Sequence, residues 1–467
     1  MRLLLFLFYL LFLIKPMFCY TQILKENKSA SVISNDFINY VNLDHLDHLS
    51  EVIYIDNIPM RITHIYSEYP DYKWTEAGGE GISCVDDVSR AALVYLLHYE
   101  LTHDSASLKK AELAQNFVLY MGQDDGQFYN FIKKDYSINK EGRTSKKSFD
   151  FWAVRGLRAL CYGYRVFVDI DSTIALKLKK QIEPTLKQIE SYLKYYGEYE
   201  VIEGVKIPGW LILGGDATAE VILALLDYYS VHQEEKIENM IRKLSDGLVE
   251  FQNIDKYCPF YGMHYSWKNI WHAWGNSQIE ALAKAARILK NPSYTESAKK
   301  EADNFYLFLI ARNFINSIEI KEEGEPIINT FSQISYGIRP MVSGLMELHI
   351  TTKEEKYAKM AGLVASWLRG NNRAKEVMYD IKTGRGYDGI DNEKKINRNS
   401  GAESTIESLM TIMEIIKNSK SLKYFHYDLI ETNEKENYSI YRDTTGNEVW
   451  IGWDRQLKRW NMKENYQ

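Results

Sequence analysis

Apolar residues recur at spacings of three and four along most of this chain, which is the pattern of amphipathic helices. Strict alternation of apolar and polar residues, the mark of half-buried strands, is nearly absent from the same span. The pattern therefore predicts an all-α body. The predicted helical segments are 85–102, 105–122, 148–168, 172–197, 216–231, 234–252, 273–290, 293–314, 333–351, 353–369 and 401–418.

The predicted helices alternate between a more apolar member and a partner with a charged face. A helix that is apolar on most sides is buried, whereas a helix with a charged face lies at the surface. Six such hairpins of nearly constant length predict an (α/α)6 barrel over residues 76–425, and an open α-solenoid is the alternative. The apolar members begin near residues 86, 150, 216, 273, 333 and 401.

Short β segments flank the predicted barrel. Residues 51–70 hold two alternating runs around DNIP, and residues 438–453 hold two around TTGN, so each segment predicts a hairpin. We accordingly predict an N-terminal extension over 20–75 and a C-terminal extension over 426–467.

Residues 1–19 contain an early arginine followed by an apolar run that is short for a membrane-spanning helix. They predict a secretory signal peptide and a periplasmic or secreted protein without a transmembrane anchor in the mature chain. Lipid attachment at Cys19 is the alternative.

The charge balance narrows the set of partners. The chain has 57 basic and 63 acidic residues, a formal net charge of −6, which does not favour binding to nucleic acid or to an anionic membrane. Cys84, Cys161 and Cys258 are far apart and are predicted to be buried, unpaired small side chains. The sequence has no metal-ligand spacing, HExxH, GxSxG or phosphate-binding glycine loop, so no metal and no cofactor is predicted. The oligomeric state stays open.

Polar and aromatic residues concentrate in the loops that lead into the six apolar helices. In a barrel these loops converge on one end, so residues far apart in sequence would share a site. Flat aromatic faces suit the C–H faces of sugars, and polar side chains suit sugar hydroxyls, so the loops predict a site for a poly- or oligosaccharide. For Asp150 and Asp216, helix capping is the competing interpretation. The predicted binding residues are Trp74, Glu80, Asp150, Trp152, Asp216, His264, Trp271, His272, Trp274, Asn276, Arg339, Asp388 and Asn399.

Carboxylates at the first and last apolar helices are the candidates for catalysis. Asp86 and Asp87 are adjacent, and a helix cap needs only one acidic side chain. Neighbouring like charges raise each other's proton affinity, which suits a general base. They are the predicted general base. Glu403 begins the last apolar helix and is the predicted general acid.

The hairpin pattern with acids at these two positions resembles the six-hairpin glycosidase superfamily. NEKKINRNSGA (392–402) resembles the C-terminal signature of family-nine glycoside hydrolases, and WLRGNNRAKEVMYDIKTG resembles the segment before it. This resemblance implies Glu393 as the acid and Asp86 and Asp87 as the base. CVDDVSRAALVYL is similar to a helix start in unsaturated glucuronyl and rhamnogalacturonyl hydrolases, and GAESTIESL resembles uncharacterised six-hairpin proteins of bacterial polysaccharide-degradation clusters.

Together these features predict an exported glycoside hydrolase that inverts the anomeric centre. A base and an acid on separate helix starts should stand at the wider spacing, roughly 6.5–9.5 Å, that inversion requires. Glu403 is preferred over Glu393, which lies among lysines. The alternatives are a hydrolase of unsaturated uronyl ends, a polysaccharide lyase that uses His264 or His272, and a non-catalytic glycan-binding protein.

Overall fold

The computed structural model of the chain describes residues 38–465. The predicted signal peptide over 1–19 and the alternative lipid attachment site at Cys19 lie outside these residues. All elements below belong to the unit that begins at Val41. No helix within residues 38–465 is both long enough and apolar enough to cross a membrane.

Helices dominate the described chain, and after the short α1 (Asp44–His48) they come in pairs. Every helical segment predicted from the sequence contains one of them, whereas α14 was not predicted. The predicted segment 293–314 is interrupted by a π-helical turn, Glu301–Tyr306, between α9 and α10. The helices are α2 (Val85–Thr102), α3 (Ser105–Met121), α4 (Phe151–Phe167), α5 (Ser172–Leu193), α6 (Gly215–Val231), α7 (Glu235–Glu250), α8 (Gln278–Leu289), α9 (Pro292–Lys300), α10 (Leu307–Ala311), α11 (Ser335–Thr352), α12 (Glu355–Ala365), α13 (Ala402–Ile415) and α14 (Ser419–Phe425).

The first helices of the six pairs contact one another in a closed cycle. Helix α2 packs on α4, α4 on α6, α6 on α8, α8 on α11, α11 on α13, and α13 packs back on α2. These six helices, here called the inner helices, are buried over most of their length, as their apolar composition predicted. Their partners pack against them and bury one face. The buried centre of the fold therefore lies among the inner helices.

Polar side chains begin several of these helices and fix where they start. Asp104, Asp150 and Asp171 accept hydrogen bonds from backbone amides of the next turn and cap α3, α4 and α5. Asp150 is thus a helix cap, in agreement with the competing interpretation of this residue. Asp216 is not a cap, because it lies inside the first turn of α6 and Gly214 occupies the N-cap position.

The strands are short and lie outside the helical pairs. Strands β1 (Ser50–Ile55) and β2 (Ile58–Thr63) form the predicted N-terminal hairpin around Asp56 and Asn57, whose φ values of 50° and 62° suit a tight hairpin turn. At the C-terminal end the predicted hairpin is the centre of a larger antiparallel sheet, in the order β16-β17-β18-β19. The remaining strands are two to four residues long, too short to show an alternating pattern in the sequence. They are β3 (Tyr66–Glu68), β4 (Lys73–Thr75), β5 (Ser83–Cys84), β6 (Phe131–Ile132), β7 (Tyr199–Ile202), β8 (Val205–Pro208), β9 (Ile270–His272), β10 (Ser317–Glu319), β11 (Ile327–Asn329), β12 (Tyr379–Asp380), β13 (Arg385–Gly386), β14 (Gly389–Asn392) and β15 (Lys395–Asn397), followed by the C-terminal sheet strands β16 (Asp428–Asn433), β17 (Tyr438–Arg442), β18 (Glu448–Asp454) and β19 (Arg459–Glu464).

The three described cysteines are unpaired thiols. Cys84 and Cys161 are buried, as predicted, but Cys258 is partly exposed and its prediction as a buried side chain is wrong. Cys84 also does more than fill space, because its sulfur accepts a hydrogen bond from the Asp87 amide and caps α2.

Candidate functional site

Charged side chains from all six inner helices meet near the N-terminal ends of those helices. Seven carboxyl groups and four guanidinium groups belong to this assembly, here called the central cluster. Its members are Asp86, Asp87 and Arg90 of α2, Arg155 and Arg158 of α4, Asp216 and Glu220 of α6, Glu280 of α8, Arg339 of α11, and Glu403 and Glu407 of α13.

Arg90 joins the first inner helix to the last. Its Nη2 donates to Asp86 Oδ2 at 2.9 Å and to Asp87 Oδ1 at 3.0 Å. Its Nη1 donates to Glu403 Oε2 at 3.3 Å and to Glu407 Oε1 at 3.1 Å. Only the planar, multi-donor guanidinium can reach four carboxylates at once. Arg90 therefore fixes the two predicted catalytic positions relative to each other.

Two further arginines continue the network around the cycle of inner helices. Arg339 donates from Nε to Glu407 at 2.9 Å and from Nη1 to Glu280 at 3.3 Å. The Nη1 atom of Arg155 lies 3.5 Å from Glu220 Oε1. Within residues 38–465, no group of three or more histidine, cysteine, aspartate or glutamate side chains is arranged to hold a metal ion.

Sequence reasoning missed Arg90, Arg155, Glu220 and Glu407, although a signal for three of them exists. Charged residues follow the predicted acids by four positions, from Asp86 to Arg90, from Asp216 to Glu220 and from Glu403 to Glu407. Positions i and i+4 share a helix face, so a charge repeated at that spacing within an apolar helix indicates a polar stripe towards the centre of the fold.

Glu403 is the most accessible carboxyl of the central cluster. Its side chain is 43% exposed, whereas the side chains of Asp86 and Asp87 are 10% and 6% exposed. The rest of this side chain is covered by protein, and the residue as a whole is partly buried. This burial raises the pKa of Glu403 to about 7, Arg90 opposes the rise, and Asp86 adds to it. Glu403 is thus a carboxyl that still carries its proton near neutral pH and that a ligand can reach.

Asp86 and Asp87 are held from several sides. Asp87 accepts a hydrogen bond from the Cys84 thiol at 3.2 Å in addition to the bond from Arg90. Burial raises the pKa of Asp87 to about 6 against the opposing effect of Arg90, and Asp86 raises it further. The mutual effect expected for adjacent carboxylates is therefore present, but desolvation is the larger cause.

The separation between the predicted base and acid is short. Arg90 Nη2 lies 2.9 Å from Asp86 Oδ2 and 3.3 Å from Glu403 Oε2, so these oxygens cannot be farther apart than the sum of those two distances. That upper limit falls just below the 6.5–9.5 Å typical of inverting pairs and still lies above the roughly 5–5.5 Å of retaining pairs. The wide spacing expected from separate helix starts is not found between these atoms, because one guanidinium draws both carboxylates together.

A second polar contact joins Asp216 to His272. The Nε2 atom of His272 lies 3.4 Å from Asp216 Oδ2. The Nδ1 atom lies 2.8 Å from the carbonyl oxygen of Trp274 and donates to it, since a carbonyl only accepts, which leaves Nε2 without a proton in the neutral ring. Burial lowers the pKa of His272 to about 4 and raises the pKa of Asp216 to about 7. The Trp274 indole stacks on His272 at 4.0 Å between ring centroids.

The loop before α8 reaches the central cluster through Gly275. This glycine has φ +72°, and a Cβ there would lie 2.8 Å from Tyr336 Oη, so only glycine fits this close approach. The following Asn276 is 2% exposed, and neither of its amide atoms has a hydrogen-bond partner among the described residues. Ser277 donates to Glu220 at 2.9 Å. Asn276 thus lies between two residues that touch the cluster.

Several residues predicted to bind substrate lie elsewhere. His264 is fully buried between Glu301 and Ser297, with its ring nitrogens 2.5 and 2.9 Å from their side chains. Trp271 is 1% exposed and packs edge-on against Phe305. These side chains are packed into the fold and cannot stack on a sugar, so the two predictions are wrong.

The N-terminal strands and their neighbouring loop hold two other predicted residues. Trp74 is 42% exposed but stacks on His64 at 3.8 Å, so one face of the indole is already covered. Glu80 accepts hydrogen bonds from the Thr144 amide at 3.0 Å and the Ser145 hydroxyl at 2.5 Å. Glu80 therefore ties two loops together and does not reach the central cluster.

The loops around α13 place the last predicted residues at different distances from Glu403. Asp388 accepts from the Gly401 amide at 3.0 Å and from the Ser404 hydroxyl at 2.7 Å, which supports the start of this helix. Asn399 accepts from the Tyr69 amide at 3.0 Å. Glu393 lies exposed in the turn between β14 and β15 and forms no ion pair with the described residues of the cluster.

Two aromatic side chains complete the surroundings of the cluster. Trp152, in the first turn of α4, is half-buried and meets Phe131 edge-on. Tyr66 of β3, which sequence reasoning missed, is 48% exposed. Partial burial raises the pKa of Tyr66, and the charges of Asp87 and Glu403 raise it further, which places its hydroxyl within the field of both carboxylates. Tyr66 is therefore the exposed aromatic ring associated most directly with the candidate catalytic groups.

Comparisons with known proteins identify the fold. No protein-family model matches the sequence, and no curated protein matches it. Among solved structures, the chain resembles the cellobiose 2-epimerase of Bacillus thermoamylovorans, with 17% identity, a TM-score of 0.58, and 82% of this chain and 98% of that chain covered. A sugar epimerase from a ruminal bacterium gives 15% identity, a TM-score of 0.57 and coverages of 83% and 99%. A D-mannose isomerase gives 12% identity, a TM-score of 0.53 and coverages of 76% and 91%.

These likenesses establish a shared fold. They agree with the paired-helix fold that the resemblance to the six-hairpin superfamily implied. The narrower resemblance to family-nine glycoside hydrolases stays a prediction.

Proposed function

We propose that this protein is a carbohydrate-active enzyme built on an (α/α)6 barrel, and that it hydrolyses a glycosidic bond. The closed cycle of inner helices supports the barrel, and the solved structures of similar fold are named as sugar-converting enzymes. A poly- or oligosaccharide is the proposed substrate. Export stays a prediction that rests on residues 1–19.

One observation carries the hydrolase proposal, namely the position and protonation of Glu403. A general acid must be protonated at working pH and must be reachable by the leaving-group oxygen. Glu403 meets both requirements, with a pKa near 7 and a side chain that is 43% exposed. Glu393 is exposed to solvent in the turn between β14 and β15 and lies outside the central cluster.

Asp86 and Asp87 are the proposed partners of Glu403. An ionised carboxylate on the opposite side of the anomeric carbon either activates a water molecule or attacks the carbon directly. The upper limit set by Arg90 lies below the usual inverting spacing, so we propose direct attack, with a covalent glycosyl intermediate and retained configuration. This replaces the inversion expected from sequence, and ¹H NMR of the first-formed anomer distinguishes the two outcomes.

The test of the acid compares two substitutions on two kinds of substrate. Glu403→Gln should lower kcat on a natural oligosaccharide by about 10²–10⁴-fold, because the leaving group loses its proton donor. On an aryl glycoside with an acidic phenol the loss should be much smaller, since that leaving group departs without protonation. Glu393→Gln should behave as wild type on both. Equal loss on both substrates in Glu403→Gln, or a large loss in Glu393→Gln, would contradict the assignment.

Epimerisation or isomerisation of a reducing sugar is the second candidate function, and the His272–Asp216 pair favours it. A neutral imidazole whose Nε2 carries a lone pair is able to accept a proton from the carbon next to a sugar carbonyl, and a protonated Asp216 could return one. Such a reaction exchanges that carbon-bound hydrogen with solvent. Incubation of aldoses in D₂O with detection of deuterium at C2 by NMR would identify it, whereas a hydrolase leaves C2 unlabelled.

Lyase chemistry at His264 and glycan binding without catalysis have less support from the site. A lyase that used His264 as its base would depend on a fully buried side chain bound to Glu301 and Ser297. A non-catalytic glycan-binding protein predicts that Asp87→Asn changes only affinity. A variant that binds sugar like the wild type but has lost turnover would exclude it.

A further inference from the structure

We propose that the site at Glu403 takes a neutral sugar and discriminates against uronate residues. This inference rests on the proposed function and narrows its substrate class. It is carried by the ion pairing of every arginine in the central cluster and by the excess of carboxyl groups over guanidinium groups there.

The recognition of a uronate usually requires a guanidinium or ammonium group that is free to pair with the carboxylate. Each cluster arginine already pairs its charge with two or more carboxylates, although Nε of Arg90, Nε of Arg155 and Nη1 of Arg158 have no hydrogen-bond partner among the described residues. Arg90 already contacts four carboxylates, and Arg155 lies between Glu220 and Asp86, at 3.5 and 3.8 Å.

The other two cluster arginines are committed in the same way. Arg339 contacts Glu407 and Glu280 through hydrogen bonds and approaches Glu220 at 3.7 Å. Arg158 lies 3.6 Å from Asp227 and 3.7 Å from Glu280. All four arginines are also buried, so a ligand carboxylate would have to displace an existing partner.

Two arginines of the loops that precede α13 lie against aromatic rings. Arg398 lies 3.4 Å from Glu376 and over the ring of Tyr387. Arg385 lies over the ring of Tyr72, at 4.0 Å from its centroid, and its Nε has no hydrogen-bond partner within residues 38–465. After burial, the charged groups with the largest effect on the pKa of Glu403 are Arg90, Asp86, Asp87 and Glu407, so Arg90 faces three other carboxyls there.

The charge balance leads to the same conclusion. Seven carboxyls share four guanidinium groups, and the pKa values of four of these carboxyls, Asp87, Asp216, Glu280 and Glu403, are raised, with desolvation as the largest cause. An added anion would meet the carboxyls that are still ionised. An added cation would pull the proton from Glu403 and remove the proposed acid. A neutral ligand disturbs neither.

The unpaired polar group next to the cluster is neutral. Asn276 is 2% exposed, and its amide offers one acceptor and two donors without a partner among the described residues. Its neighbours in the chain, Gly275 and Ser277, approach Tyr336 and bond to Glu220. Asn276 is nearly as buried as Trp271, and it adds no positive charge that could pair with a uronate.

The experiment uses pairs of glycans that differ only in charge. Acidic oligosaccharides are compared with the same oligosaccharides after carboxyl reduction, which turns each uronate into the neutral hexose. Binding to the wild-type protein is measured by calorimetry, and turnover by release of reducing ends. The neutral member of a pair should bind at least about tenfold more tightly. A ligand carboxylate in this partly desolvated site would lie near two or three carboxylates of the protein, which repel it.

Variants test whether the cluster charges cause the preference. Asp87→Asn removes a negative charge, so the ratio of the two dissociation constants should fall towards one, with the binding of the acidic form improved. Glu183→Gln removes a carboxylate from the outer helix α5, where its side chain is 59% exposed, and should leave the ratio unchanged.

The possible results separate this inference from the function on which it rests. Equal or tighter binding of the acidic member, or a ratio that Asp87→Asn does not change, overturns the neutral-sugar inference while the hydrolase proposal stands. If no glycan of either charge binds or is cleaved, the proposed function fails, and the inference fails with it.

Discussion

Replacement of Asp216 by asparagine should make the protein more stable at neutral and alkaline pH. Asp216 lies in the first turn of α6, and its side chain is 12% exposed. Its Oδ1 accepts a hydrogen bond from the Ala217 amide at 2.8 Å, and its Oδ2 faces the Nε2 atom of His272. Asparagine has the same shape as protonated aspartate, keeps the first bond, and offers an N–H donor to His272.

The size of the effect follows from the pKa of Asp216. Burial raises this pKa from 3.8 to about 7. Below pH 3.8 the group is protonated in both the folded and the unfolded chain. Between pH 3.8 and 7 only the folded chain holds the proton, so stability falls as pH rises. A shift of about three units at about 1.4 kcal/mol per unit amounts to a loss of about 4 kcal/mol by pH 7.

Asparagine carries no proton to lose, so the variant does not share this loss. Relative to wild type, Asp216→Asn should therefore gain stability as the pH rises from 4.5 to 7.5, with no further gain above pH 8. For a chain of this length the gain corresponds to a difference of roughly 4 °C in Tm. Differential scanning fluorimetry across this pH range measures it.

A matched control separates the burial effect from a general effect of an aspartate-to-asparagine change. Asp171 caps α5 through the amides of Thr173 and Ile174, and asparagine is an equally good cap. Because Asp171 is an exposed cap and not a desolvated side chain, Asp171→Asn should not reproduce the gain in stability that Asp216→Asn shows between pH 4.5 and 7.5. If Asp216→Asn gave a Tm difference independent of pH, or destabilised the protein at pH 8, Asp216 would not be held protonated in the folded chain.

Three further predictions concern the central cluster and a residue outside it. In the pH profile, kcat/KM should rise around pH 6 as Asp87 ionises and fall around pH 7 as Glu403 loses its proton. If kcat/KM instead stayed constant up to pH 9, Glu403 would not be the acid. Arg90→Lys should lower kcat at least about tenfold and should lower the Tm, because an ammonium group cannot bridge four carboxylates. Stopped assays measure kcat, and fluorimetry measures the Tm. If kcat of this variant equalled that of wild type, Arg90 would not be a positioning residue. Trp271→Ala should lower the free energy of unfolding in urea by about 3–5 kcal/mol and leave glycan affinity unchanged, because the side chain is buried. If the variant lost glycan affinity and kept its stability, Trp271 would belong to the binding site.

The positions of the helices follow from the sequence because they depend on local patterns. Three-to-four periodicity gave all eleven predicted helical segments, and the contrast between apolar and charged-faced helices separated inner helices from their partners. The short strands were missed, since two to four residues carry no periodic signal. The helix α14 was missed for a similar reason, as it has only seven residues.

The acids at the helix starts were also within reach of the sequence. Asp86, Asp87 and Glu403 stand at the first turn of an apolar helix, where the chain direction alone brings them to the same end of the inner cycle. The sequence could not show which glutamate is buried enough to keep its proton. That depends on the surroundings of Glu403, which are contributed by the distant residues Arg90 and Asp86.

Only the tertiary structure decided how the loop residues are used. His264 and Trp271 lie in the same loop as His272 and Trp274, yet the first two turn into the packed interior and the latter two stack beside Asp216. Side-chain direction in an irregular loop depends on which neighbours fill the adjacent space, and composition does not encode this.

The contact between Arg90 and Glu403 joins residues 313 positions apart. It limits the distance of the acid from the aspartates and opposes the rise in the pKa of Glu403 that burial causes. The sequence by itself determined the helices and placed carboxylates at their starts, because periodicity and helix polarity are local properties. The closure of the inner cycle determined the chemistry of those carboxylates, because desolvation and charge pairing depend on groups that only the folded chain brings together.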